Sequence, residues 1–129
     1  DGSCMIVVIT DAPLCARNLK RLAARAMFGL ARTGGITSNG SGDFVIALST
    51  AEALRIPYES DSMYDTMRVL RNDDINLLFE AVIEATEEAV INSLFAAESM
   101  KGAGGRKVDA LPLDKTLKIL TKYKRTESR

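Results

Sequence analysis

Residues 4–10 read CMIVVIT, and residues 44–48 read FVIAL. Both runs are short, apolar and rich in β-branched or aromatic residues, which is the signature of a buried strand. Neither alternates apolar with polar residues, so both faces of each strand are oily. A strand of that kind needs cover on two sides. Residues 11–32 lie between the two runs. Asp11, Ala12 and Pro13 read as a helix start, an acid able to cap followed by proline in the first turn. Leu14, Leu19, Leu22, Ala26, Met27 and Leu30 follow at mostly helical spacing, with Arg17, Lys20, Arg21 and Arg25 on or beside the opposite face. Gly34 and Gly35 end that helix.

Beyond the second strand the pattern is less regular. Pro57 and the polar run Glu59–Ser62 suggest an excursion, and Met67–Leu70 reads as a third strand. The longest helix begins near Asn72-Asp73. Ile75, Leu78, Phe79, Val82, Ile83, Thr86, Val90 and Leu94 trace one apolar stripe to about Met100. Gly102, Gly104 and Gly105 break it. Pro112 then precedes an amphipathic helix built on Leu113, Leu117, Ile119 and Leu120, and residues 125–129 form a polar tail. The expectation is a single α/β domain over residues 1–129. Two or three strands cannot make a satisfactory sheet with these helices, so the chain is expected to complete a larger layered structure with strands it does not contain.

Composition removes several functions. The 129 residues carry 17 Lys+Arg and 17 Asp+Glu, a net charge of zero, which argues against nucleic acid as a partner. No stretch approaches the roughly 20 apolar residues of a membrane helix. The start of the chain has no basic region before an apolar run, so a secretion signal is not expected there. Cys4 and Cys15 have neither disulfide-framework nor metal-site spacing, and a reduced, cytoplasmic protein is expected. There is no histidine. That excludes a Ser-His-Asp or Cys-His device within this chain, and every histidine-based zinc motif. Glu84 and Glu88 are neighbours on the long helix but too sparse for a metal, and they read as a solvated face. Lys115, Lys118 and Lys122 read as surface. No metal and no cofactor is expected.

The loop from Thr33 to Asp43, TGGITSNGSGD, invites other readings. Gly35 and Gly40 have the spacing of a phosphate-binding loop, but Ser41 stands where lysine is required. The loop also follows a helix and opens a strand, the reverse of the phosphate-loop order. Gly40-Ser41-Gly42 lacks the third glycine of a dinucleotide fingerprint, and Asn39-Gly40-Ser41 matches a glycosylation acceptor by coincidence. More informative are Ser41 and Asp43. They flank a glycine at the mouth of a strand, and alternation points both to one side. Gly2 and Ser3 hold the equivalent place at the mouth of the first strand. If the strands are adjacent, Ser3, Ser41 and Asp43 form one cluster with no histidine. A serine at the start of a self-cleaved chain suits that cluster, because its own α-amine, with an ordinary pKa of about 7.7–8.0, can take the hydroxyl proton. Cys4, one residue on, turns to the other side.

The runs DGSCMIVVITDAPL, ARNLKRLAARA, GLARTGG, SNGSGDFVIALST, LFEAVIEATEEAVINSL and ALPLDKTLKILTKY occur in order over residues 1–124. Together they resemble the β-subunit of the DmpA-type aminopeptidases, which include L-aminopeptidase/D-esterases and β-peptidyl aminopeptidases. The resemblance implies a four-layer α/β/β/α sandwich, like that of ornithine acetyltransferases and reminiscent of N-terminal-nucleophile hydrolases. It implies a precursor that cleaves itself at the Gly2–Ser3 bond, an α-chain of the same precursor as partner, and a homo-oligomer of αβ units. Small peptides, amides or esters would be the substrates. By position Ser3 is the nucleophile, Ser41 its supporting hydroxyl, in contact with Ser3 or its amine, and Asp43 the acid. Some members of the family have glutamate at that last position. Two alternatives remain: an acyltransferase on the same architecture, against which stands serine rather than threonine at position 3, and a non-catalytic, uncleaved homologue.

Overall fold

In a computed structural model the described residues are 2–125. The chain divides into two compact units, one up to Glu88 and one from Ala89. The first opens with strand β1 (Met5–Thr10), helix α1 (Ala16–Arg32) and strand β2 (Phe44–Ser49). β1 and β2 pair in parallel, Met5 opposite Phe44 through Thr10 opposite Ser49, and α1 is the crossover that a parallel pair requires. A 3₁₀ turn at Glu52–Leu54 follows, then a long irregular segment, a second 3₁₀ turn at Asn72–Asp74, and helix α2 (Asn76–Ala96).

Side chains of the two strands alternate. Ile6, Val8 and Val45 are partly buried and pack on a core of Leu14, Leu22, Ala26, Ile75, Phe79 and Val82. Met5, Val7, Ile9, Phe44, Ile46 and Leu48 point the other way and are 39–65% exposed. Burying one such side chain is worth about 1.5–3 kcal/mol, so this face is the largest unused source of stability in the sheet. α1 meets α2 at Gly29. A Cβ built there would stand 2.4 Å from the Ile83 carbonyl oxygen and 2.7 Å from Thr86 Cβ, so only glycine lets the helices come this close. Thr86, buried at the crossing, satisfies its hydroxyl on the Val82 carbonyl at 2.6 Å.

In the second unit, beyond the end of α2, two-residue strands β3 (Met100–Lys101) and β4 (Lys107–Val108) pair antiparallel around a 3₁₀ turn at Ala103–Gly105. Helix α3 (Leu113–Lys122) follows Pro112. The expected polar tail at 125–129 falls, apart from Arg125, outside the described residues.

Several expectations need correction. α1 starts at Ala16, not at Asp11–Pro13, because a turn claims those residues. There the Ala12 carbonyl accepts from Leu14 N–H at 2.8 Å and from the Ser49 hydroxyl at 2.6 Å, and the Pro13 carbonyl accepts from Leu70 N–H at 2.8 Å. Met67–Leu70 is not a strand. That bond from Leu70 is a single docking point, and one bond does not make a ladder. The long helix stops at Ala96 rather than near Met100, where the small hairpin takes over.

Candidate active site

The parallel register sets the N-terminal ends of β1 and β2 side by side. The first rung is the bond from Phe44 N–H to the Cys4 carbonyl, 2.9 Å. One step earlier a side chain replaces the backbone partner: Cys4 N–H donates to Asp43 Oδ1 at 2.9 Å. Asp43 thus continues the ladder past the point where the strands end. Its other oxygen, Oδ2, lies 2.8 Å from Ser41 Oγ.

Ser41 Oγ also lies 2.7 Å from the carbonyl oxygen of Gly2. A serine hydroxyl has one proton to give, so the Gly2 carbonyl and the Asp43 carboxylate compete for it. Ser3 Oγ is held from the other side by Gly42 N–H at 3.0 Å. Ser3, Ser41 and Asp43 therefore gather within one hydrogen-bonded group, with Gly2 and Gly42 as its backbone members. With Gly2 still joined to Ser3, Ser41 Oγ bonds the carbonyl before Ser3, and the Ser3 hydroxyl accepts from Gly42 N–H. The shorter acid, aspartate, reaches Ser41 without difficulty.

These groups open on a cavity of about 240 Å³, walled on the far side by Leu30 and the loop Gly35–Ser38. The loop leaves α1 through Gly34 at φ +94. Thr37 takes φ 45, left-handed backbone that a β-branched side chain resists, at a cost of order 1–3 kcal/mol. That strain lies on the cavity wall, where nothing in the residue pattern announces it. Gly42, the donor to Ser3, was also missed, because a backbone N–H leaves no mark in side-chain chemistry. Glu84 and Glu88 are exposed on α2, far in sequence from the cluster and in no hydrogen bond with it, whereas Glu87 pairs with Arg32 at 3.1 Å. Among the described residues no cluster of His, Cys, Asp or Glu has the makings of a metal site. No helix there is long and apolar enough to cross a membrane.

A sequence model of Peptidase family S58 matches residues 1–108. A curated relative, beta-peptidyl aminopeptidase BapA of Sphingosinicella microcystinivorans, is 42% identical over 125 residues, covering 97% of this chain and 31% of its own length. The chain thus spans about a third of the curated relative it matches. The PH0078 protein of Pyrococcus horikoshii OT3 superposes with a TM-score of 0.79 at 44% identity, over 92% of this chain and 33% of that one. The L-aminopeptidase D-Ala-esterase/amidase of Ochrobactrum anthropi gives 0.80 at 32% identity, over 94% and 34%. The latter is described as a prototype for the serine aminopeptidases and a variant of the Ntn hydrolase fold.

Proposed function

This chain belongs to peptidase family S58, and on that premise we propose that it is the nucleophile-bearing part of a self-processing serine aminopeptidase. Its chemistry begins on its own backbone. The observation that carries the reading is the contact of Ser41 Oγ with the Gly2 carbonyl oxygen at 2.7 Å, beside Ser3 Oγ.

A hydrogen bond from Ser41 draws electron density out of the Gly2 carbonyl, the group that Ser3 Oγ must attack. Gly42 N–H meets the charge that gathers on that oxygen as its proton leaves. Attack forms a bond from Ser3 Oγ to the Gly2 carbonyl carbon and breaks the amide C–N bond; the hydroxyl proton ends on the departing nitrogen, leaving an ester and a free α-amine on Ser3. Water then hydrolyses the ester. One chain ends in a Gly2 carboxylate and another begins at Ser3.

The freed amine is the base that a chain without histidine otherwise lacks. It takes the Ser3 hydroxyl proton as Oγ attacks the first carbonyl of a small peptide, amide or ester. The proton passes to the departing amine or alcohol, and water releases the acyl group. With the Gly2 carbonyl gone, the Ser41 hydroxyl has Asp43 as its remaining partner, and the pair faces the new ammonium. The exposed face of β1 and β2 fits the inner layer of a four-layer α/β/β/α sandwich whose other sheet comes from an α-chain of the same precursor. Oxyanion donors for substrate and the pocket for its amino group are assigned to that chain, and αβ units to a homo-oligomer.

Intact-mass measurement of the purified full-length protein tests the reading. Two chains are expected, one ending at Gly2 and one starting at Ser3, with cleavage abolished in Ser3→Ala. A single uncleaved chain that still hydrolyses peptides would refute it.

A further inference from the structure

Arg17, Arg21 and Arg25 follow one another at four-residue spacing on α1, which sets them along one side of the helix. The half-buried Arg21 is held firmly. Its Nη1 donates to Asn18 Oδ1 at 3.0 Å and to Asn72 Oδ1 at 3.1 Å, and Asn18 itself is only 3% exposed. Arg17 Nη1 donates to the same Asn72 oxygen at 3.3 Å. Arg25 donates to the Arg21 carbonyl at 2.8 Å. Its guanidinium sits 3.4 Å from the centroid of the Phe79 ring, and that of Arg21 approaches the same ring at 5.0 Å.

Every acceptor in this group is neutral. Among the described residues no carboxylate comes within 4.0 Å of any of the three guanidiniums. Arg32 is paired with Glu87 and Arg55 with Glu52. Arg68, Arg71 and Arg106 make no ion pair among the described residues either, but none of them shares an acceptor or a ring with a second arginine. Asp73 and Asp74 flank Asn72 in sequence but are exposed and make no ion pair. Two cations thus share one neutral oxygen, two share one aromatic face, and nothing of opposite charge closes the arrangement. Like charges gathered and fixed in this way repel unless an anion lies between them. Each guanidinium has five N–H donors, of which these contacts use one or two, and the free ones suit the paired oxygens of a planar or tetrahedral oxyanion.

We propose that Arg17, Arg21 and Arg25 form an oxyanion-binding site that takes a carboxylate or phosphate group. None of its residues belongs to the Ser3 cluster, so it stands apart from the reading of that cluster. Asn18 and Asn72 are its positioning residues, and Phe79 is its floor.

The test uses the full-length protein and inorganic phosphate. Thermal unfolding is followed in phosphate and in sodium chloride at matched ionic strength, for the wild type, Arg17→Gln and Arg21→Gln. A free anion as occupant predicts a saturable rise in Tm with phosphate that falls by at least half in both variants. Arg17 is exposed, so its variant keeps the fold even where Arg21→Gln does not. A carboxylate from another polypeptide as occupant predicts no phosphate response, but a lower assembly mass by light scattering in Arg17→Glu. Equal phosphate responses in all proteins together with an unchanged assembly mass overturn the proposal.

Discussion

The helix crossing at Gly29 and the strand mouth at Asp43 are both places where two segments approach closely, and they are built by opposite means. At Gly29 the approach is steric: backbone meets backbone with no room for a methyl group. At Asp43 it is polar and half-open to solvent, held by hydrogen bonds to Cys4 N–H and Ser41. A change at the first should cost stability and leave chemistry intact. A change at the second should cost chemistry and leave the fold. On the proposed function, stability and activity divide between two regions of one small unit.

The sharpest way to break that division is Ser3→Ala in the full-length protein. Cleavage and peptide turnover should both vanish while the unfolding free energy from urea titration stays within about 0.5 kcal/mol of wild type, as for most surface substitutions. Next in size is Ser41→Ala, which removes the donor to the Gly2 carbonyl. Self-cleavage should slow by about 10²–10³, the usual loss for one donor on a developing oxyanion, as read by time-resolved intact mass. Asp43→Ala should lower turnover at least tenfold with the fold retained, and an unchanged rate would show that the carboxylate plays no part. The smallest expected effect lies on the other side. Gly29→Ala should lower stability by about 1–3 kcal/mol through overpacking, with kcat/KM unaltered at low temperature. A large loss of activity in that variant would mean that the two regions are coupled.

The two strands and the polar cluster were legible because local chemistry and final geometry agree there. The apolar runs at 4–10 and 44–48 announce themselves, and the three polar residues sit at their mouths. Expectation failed where a local signal had a second use. Asp11 and Pro13 carry the marks of a helix start, but the Ala12 and Pro13 carbonyls are spent on Leu14, Ser49 and Leu70, so the helix waits until Ala16. Met67–Leu70 has the composition of a strand but no neighbour within the described residues to pair with. The hairpin at 100–108 was invisible because two residues have no periodicity. Its glycines, with φ +69 and +75 at Gly104 and Gly105, were a turn signal read only as a helix stop. Which carbonyl Ser41 meets depends on strand register, which composition does not encode.

The bond from Cys4 N–H to Asp43 Oδ1 has a further consequence. If the backbone is severed before Ser3, the newly made terminus is not set loose. It hangs from an anchor one residue away, so fraying is confined to a single residue. The leash is too short for the cut end to wander from the place where it was made.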